Sequence, residues 1–178
     1  MKRLIASIVF LICTFSLFAE GFVNYKMPKD LAPAPEFKLE VNGQEVFVYN
    51  SRTAAIASFS FEGKVDVKVT FLSPVYDFDI RPKSRNIKGE LNRNQIQFSL
   101  DKPENLSIEI SKNIKRPLFI FANPLETEIP DKTDKNVIFF EGGKIHTPGE
   151  VLVKSNQTVY IEGGAVVRGH FMTDKGKD

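Results

Sequence analysis

From Phe37 onward apolar residues recur at every second position, a period that suits extended strands with one buried face and gives a helix no continuous apolar stripe. Phe37, Leu39 and Val41 alternate with Lys38, Glu40 and Asn42. Asn42-Gly43 then offers a hairpin turn, because both residues accept positive φ at small cost. The return strand is expected over 45–49, followed by a strand over 55–61 and a turn at Glu62-Gly63. Val65, Val67, Val69 and Phe71, interleaved with Asp66, Lys68 and Thr70, give the cleanest alternation of all. Further strands are expected over 76–80, 86–90, 95–100, 106–110 and 118–121.

Short strands with turn residues every eight to twelve positions or so predict an all-β fold, an antiparallel β-sandwich with its strands between 35 and 122. The segment before it, ending in Leu31-Ala32-Pro33-Ala34-Pro35, reads as an extended lead-in or an edge strand, since proline removes a donor and biases its predecessor to extended geometry. The sandwich domain with its lead-in is thus assigned to 20–122. Residues 123–135 contain Pro124 and Pro130 without alternation and read as a linker.

Beyond the linker the texture changes. Phe140-Glu141-Gly142-Gly143 is echoed 21 residues later by Ile161-Glu162-Gly163-Gly164. That period suits one coil of a parallel β-helix, with strands over 151–153 and 158–161, turns at Pro148-Gly149 and Ser155-Asn156, and the glycines at a corner. The competing reading is two more hairpins of an enlarged sandwich. A solenoid coil buries its interior only against neighbours, and about three repeats are needed for independent stability. The two copies here make 136–172 the expected weak part, folded back onto the sandwich or awaiting further coils.

The chain carries 24 Lys and Arg against 22 Asp and Glu. Two of the cations, Lys2 and Arg3, precede the mostly apolar run 4–18, and Ala19 follows it. A basic start, a short apolar middle and a small residue predict a cleavable signal peptide over 1–19, hence a secreted or periplasmic protein. The remainder balances to no net charge, which offers neither nucleic acid nor an anionic membrane an electrostatic partner. The single cysteine, Cys13, lies inside that segment, and Leu11-Ile12 before it lack the small residue that a lipid-anchored cysteine requires. No thiol, disulfide or cysteine metal site is expected in the mature chain.

The stretch Phe140-Glu141-Gly142-Gly143-Lys144-Ile145-His146 through Pro148-Gly149, then residues 151–169 ending Gly163-Gly164-Ala165-Val166-Val167-Arg168-Gly169, resembles the entry to right-handed parallel β-helix glycoside hydrolases. These are the polygalacturonase-like enzymes of glycoside hydrolase family 28, of pectin-lyase-like fold, and the related dextranase-like enzymes. Bacterial members often place a β-sandwich ahead of the β-helix, and 118–126 resembles the end of such a sandwich. The resemblance covers roughly residues 35–170 and implies a polysaccharide partner, pectin- or dextran-type, acting through the parent enzyme. It does not bring the chemistry. The polygalacturonase-like motifs Asn-Thr-Asp, Asp-Asp, Gly-His-Gly and Arg-Ile-Lys are absent: Thr173-Asp174 lacks the Asn, and Gly169-His170-Phe171 lacks the second Gly. Residues 136–178 therefore read as the truncated first coils of a β-helix, and the chain as an accessory front region without the catalytic carboxylates. The alternative is a self-contained, non-catalytic β-sandwich that binds or supports structure in the cell envelope.

No catalytic, cofactor-binding or metal residue is assigned, and no cofactor is expected. His146 and His170 stand near no nucleophile motif and read as turn or strand-end residues. Asp77 and Asp79 flank Phe78 and would share one solvated strand face. Asp131, Thr133 and Asp134 begin like a calcium loop but meet Asn136 and Gly142 where Gly and Glu are required. Gly142-Gly143-Lys144 lacks the first glycine and the closing Ser or Thr of a phosphate loop, so a coil corner is the reading. With no Trp and mostly Phe among its aromatics, the chain is not expected to be a dedicated sugar-binding module. Asn105-Leu106-Ser107 and Asn156-Gln157-Thr158 match the glycosylation pattern by letters only.

Overall fold

The computed structural model describes residues 21–110 and 113–173. The signal-peptide reading of 1–19, with Cys13, lies outside those residues, as do 174–178. The chain is all-β, with one short 3₁₀ turn at Lys83–Arg85 among the described residues.

Two sheets share one apolar core. The first contains β1 (Phe22–Asn24), β4 (Tyr49–Asn50), β5 (Ala55–Phe61), β7 (Phe78–Arg81), β10 (Glu104–Ile110) and β11 (Asn113–Asn123), in the order β1-β5-β11-β10-β7 with β4 also on β5. The second runs β3-β2-β6-β9-β8, from β2 (Phe37–Val41), β3 (Gln44–Val46), β6 (Val65–Phe71), β8 (Glu90–Asn92) and β9 (Gln95–Leu100). The alternating residues do what their period demands. Leu39, Val41, Val67, Val69, Ile96 and Phe98 from the second sheet meet Ala57, Phe59, Ile108, Leu118 and Ile120 from the first, and all are buried. On the outer face of the second sheet, Glu40 pairs with Lys68 directly opposite it. Asn42 (φ 50°) and Gly43 (φ 77°) make the expected hairpin turn, and the Asn42 side chain accepts the Asp66 N–H at 2.8 Å.

Four expectations are corrected. First, β11 pairs with β5 in parallel, Leu118 opposite Ala55, so the sheet is mixed where an antiparallel one was predicted. A period of two fixes which face is buried but is blind to strand direction. Second, the single strand expected over 45–49 is two. Val46 lies in one sheet and Tyr49 in the other, the chain crossing between them at buried Val48. There the lead-in pairs with it: Ala34 N–H donates to Val48 O at 2.8 Å and Asn50 N–H to Ala32 O at 2.9 Å. Third, 86–90 is not a strand until Glu90, because Asn86 (φ 52°) turns the chain out of the preceding 3₁₀ turn. Fourth, the strand expected to start at Tyr76 starts at Phe78, leaving Tyr76 exposed.

The last four strands belong to neither sheet. β12 (Val137–Phe140) pairs in parallel with β14 (Thr158–Ile161), and β13 (Ile145–Val153) with β15 (Val166–Thr173); β13 runs through Pro148-Gly149, where a turn was expected, with only a register shift between His146 and Gly149. Val137 faces Thr158 and Ile145 faces Val166, an offset equal to the 21-residue repeat. Parallel neighbours cannot be joined by a hairpin, so the two-hairpin reading fails and each repeat forms one coil laid on the other. Phe140 is buried inside, its ring 5.9 Å from that of Phe171 and 5.3 Å from His146.

One ion pair joins the two sheets at their ends. Arg116 on β11 donates to Glu36, beside β2, at 3.0 Å, to Asn50 Oδ1 at 2.8 Å and to Arg52 O at 2.8 Å. The Arg116 hydrogen bond holds the Glu36 carboxyl below its ordinary value of 4.5. A carboxyl whose pKa falls on folding contributes stability above its unfolded value and loses that contribution as pH drops through the folded one. Denaturation of the parent chain and Glu36→Gln, from about pH 7 to about pH 3, should therefore show the parent's advantage shrinking toward zero in acid. A gap that stays constant across the range contradicts the pairing.

Candidate functional site between the sheets and the coils

The feature that gathers the most specific contacts is the joint between the first sheet and the coils. The two Glu-Gly-Gly copies stack as the corner of successive coils. Gly142 N–H donates to the Glu162 carboxylate at 2.6 Å, Gly143 N–H to Gly164 O at 3.1 Å, and Glu162 N–H to Phe140 O at 3.0 Å. The corner needs glycine for two reasons. Gly164 has φ +83°, and a Cβ there would stand 2.5 Å from Lys26 O; one on Gly163 would stand 2.1 Å from the Tyr25 ring. The lead-in thus lies directly on the corner.

Tyr25 is placed there by β1, whose Asn24 pairs with Phe59 of β5. Its hydroxyl hydrogen-bonds the Ser60 hydroxyl. Ser60 lies on the outward face of β5 and yet is 2% exposed, the one break in that strand's alternation, because the junction covers it. Nearby, Tyr160 on β14 donates to the Glu126 carboxylate of the linker at 2.5 Å and packs on Phe139 with ring centroids 4.9 Å apart. Burial, and then the hydrogen bond to Glu126, push the Tyr160 pKa well above its ordinary value of 10, so it remains a donor across the working pH range. A depression of about 440 Å³ beside these contacts is lined by Tyr25, Ser60, Asn123, Pro124 and Glu126. These groups form an anchored, polar-tipped aromatic joint.

Of the residues weighed from sequence, Gly142 and Gly143 lie at this joint and the histidines and aspartates lie elsewhere. The His146 ring nitrogen Nε2 lies 2.8 Å from Glu141 O, a contact within its own turn. His170 and Glu150, opposite one another on adjacent coils, approach to 3.2 Å, both well exposed. Asp79 binds Arg81 and Lys83, while Asp77 lies exposed ahead of β7, so the strand does not hold the pair on one face. Asp131 accepts both the N–H and the hydroxyl of Thr133 at 2.8 Å, and these bonds lower its pKa. Asp134 accepts the Asn136 N–H at 2.8 Å. Both carboxylates close turns. The Gly142 N–H already holds a carboxylate and Lys144 pairs with Glu141 at 2.5 Å, an arrangement of a corner and not of a phosphate cradle. Among the described residues no group of three or more His, Cys, Asp or Glu is placed to hold a metal ion.

Tyr25, Ser60, Tyr160 and Glu126 were not singled out by sequence reasoning. A signal existed for the first: adjacent glycines repeated at one corner imply something bulky pressed against it, and Tyr25 is one of two aromatics, with Phe22, in the lead-in.

No family model matches the chain, and no curated protein does. Among solved structures it is similar to Dex49A from Penicillium minioluteum, a dextranase with a right-handed β-helix, at a TM-score of 0.53 and 16% identity. The match covers 85% of this chain and 48% of that one, so this chain spans about half the length of the structure it resembles. The likeness is one of fold, an all-β chain similar to a β-helix glycoside hydrolase.

If Gly163 is glycine because Tyr25 occupies its side-chain space, Gly163→Ala should cost about 1–3 kcal/mol, the usual price of overpacking. It should also open the linker near 124–136 to protease while the two sheets stay intact. Unchanged cleavage, or cleavage starting within the sheets, contradicts the joint.

Proposed function

We propose that this chain is the N-terminal accessory region of an exported, polysaccharide-degrading glycoside hydrolase of the β-helix type, in which a β-sandwich carries and caps the first coils of the helix. In this reading residues 1–19 direct export, 20–122 form the sandwich with its lead-in, 123–135 link, and 136–178 begin the helix. The observation that carries it is the parallel pairing of β12 with β14 and β13 with β15 at the 21-residue repeat, seated on the sandwich through Tyr25. The fold likeness to a dextranase supports the same context.

The coils leave large apolar side chains in water: Leu152 on β13, Ile161 on β14, and Phe171 and Met172 on β15 are each more than 40% exposed. Three of them, Ile161, Phe171 and Met172, belong to the second repeat, a surface suited to a further coil laid in the same register.

The polygalacturonase-like hydrolytic motifs do not occur in this sequence, and His170 and Glu150, whose side chains meet at 3.2 Å across the coils, are both well exposed. The full chain is expected to release no reducing ends from dextran or polygalacturonate above a blank. Release above the blank contradicts the accessory reading, and its loss in Glu150→Gln would place the chemistry at that pair.

A further inference from the structure

We propose that the outward face of β11 and its neighbours binds a neutral polysaccharide, with pyranose rings stacked on Phe119 and Phe121. Leu118, Ile120 and Ala122 point into the core, so Phe119 and Phe121 point out, and they are 37% and 38% exposed. Their ring centroids lie 6.4 Å apart and their planes are inclined by only 30°, two neighbouring steps of one platform. Outward positions of a solvated sheet are ordinarily polar, and phenylalanine has no polar tip that would favour water.

The surroundings supply hydrogen-bonding groups. Across the sheet Phe119 is flanked by Ser107 and then Arg81, and Phe121 by Asn105, which together with Pro82 and Lys83 line a depression of about 610 Å³. The bordering charges cancel. Arg81 pairs with Glu109 at 2.8 Å and Asp79 at 3.4 Å, and Lys83 pairs with Asp79 at 2.8 Å, two cations against two carboxylates. A uronate polymer or an anionic membrane gains little from a patch already neutralised.

The platform also disfavours peptides. β11 lies between β5 and β10, so its backbone is paired and cannot accept an added strand. A pyranose chain, with apolar ring faces and hydroxyl edges, matches rings bordered by an amide, a hydroxyl and oriented ion pairs. Position agrees. Phe121 lies two residues from Asn123, which faces Ser60 at the joint with the coils, so a bound polymer would run toward them.

The choice of a glucan rests on the accessory reading, but the test requires no hydrolase. The full chain is run through native gels containing dextran or polygalacturonate. Dextran should retard it, added salt should leave the retardation unchanged, and Phe119→Ala/Phe121→Ala should weaken it at least about tenfold, whereas Phe119→Tyr keeps it. An unaltered thermal midpoint shows the double variant folded; if it is not, loss of retardation in Phe121→Ser alone serves in its place. The proposal is overturned if dextran does not retard the chain, if retardation survives the substitutions, or if polygalacturonate retards it more in a salt-sensitive way. It is equally overturned if the chain sediments as a dimer that the double variant dissolves. Failure here leaves the accessory reading standing, since reducing-end release tests that separately.

Discussion

The Tyr25 side chain holds the molecule together as one object. Its hydroxyl is bound to Ser60 on the first sheet and its ring fills the space a side chain on Gly163 would need. Two coils cannot bury an apolar interior by themselves, so their order has to come from outside. The lead-in supplies it. Because β1 is hydrogen-bonded to β5, the position of Tyr25 is set by a strand whose inward side chains, Ala55, Ala57, Phe59 and Phe61, are buried, and the coil corner inherits that rigidity. Tyr160 and Glu126 add a second attachment from the linker side.

This arrangement assigns different work to the same residue type. Gly43 serves a hairpin through its dihedral angle alone, with open space where a Cβ would be. Gly163 serves through absence of bulk, and its φ is ordinary. The repeated Glu-Gly-Gly is therefore both the period of the coil and the imprint of its support. The charged residues around it, Glu162 on Gly142 and Glu141 on Lys144, are engaged in holding the corner.

Much of this was legible from the residues. Alternation located β2, β6, β9 and the inward faces of β5 and β10, and the 21-residue echo located the coils. What escaped depends on partners distant in sequence. The parallel match of Leu118 with Ala55 leaves no local trace, since either strand direction buries the same side chains. The break at Val48 is a change of sheet inside an unbroken apolar pattern. Ser60 reads as an ordinary outward polar residue until Tyr25 is laid over it. Phe119 and Phe121 read as core, as Phe usually does, because the run 118–122 is apolar at every position and conceals which side faces inward.

The coils owe their order to the lead-in. Hydrogen exchange of the backbone amides in β12–β15, compared between the parent chain and Tyr25→Ala, tests it most directly. Exchange across 137–173 should accelerate in the variant while β2, β6 and β9 keep their protection. Equal protection of the coils in both proteins, or equal loss in coils and sheets, would contradict the account.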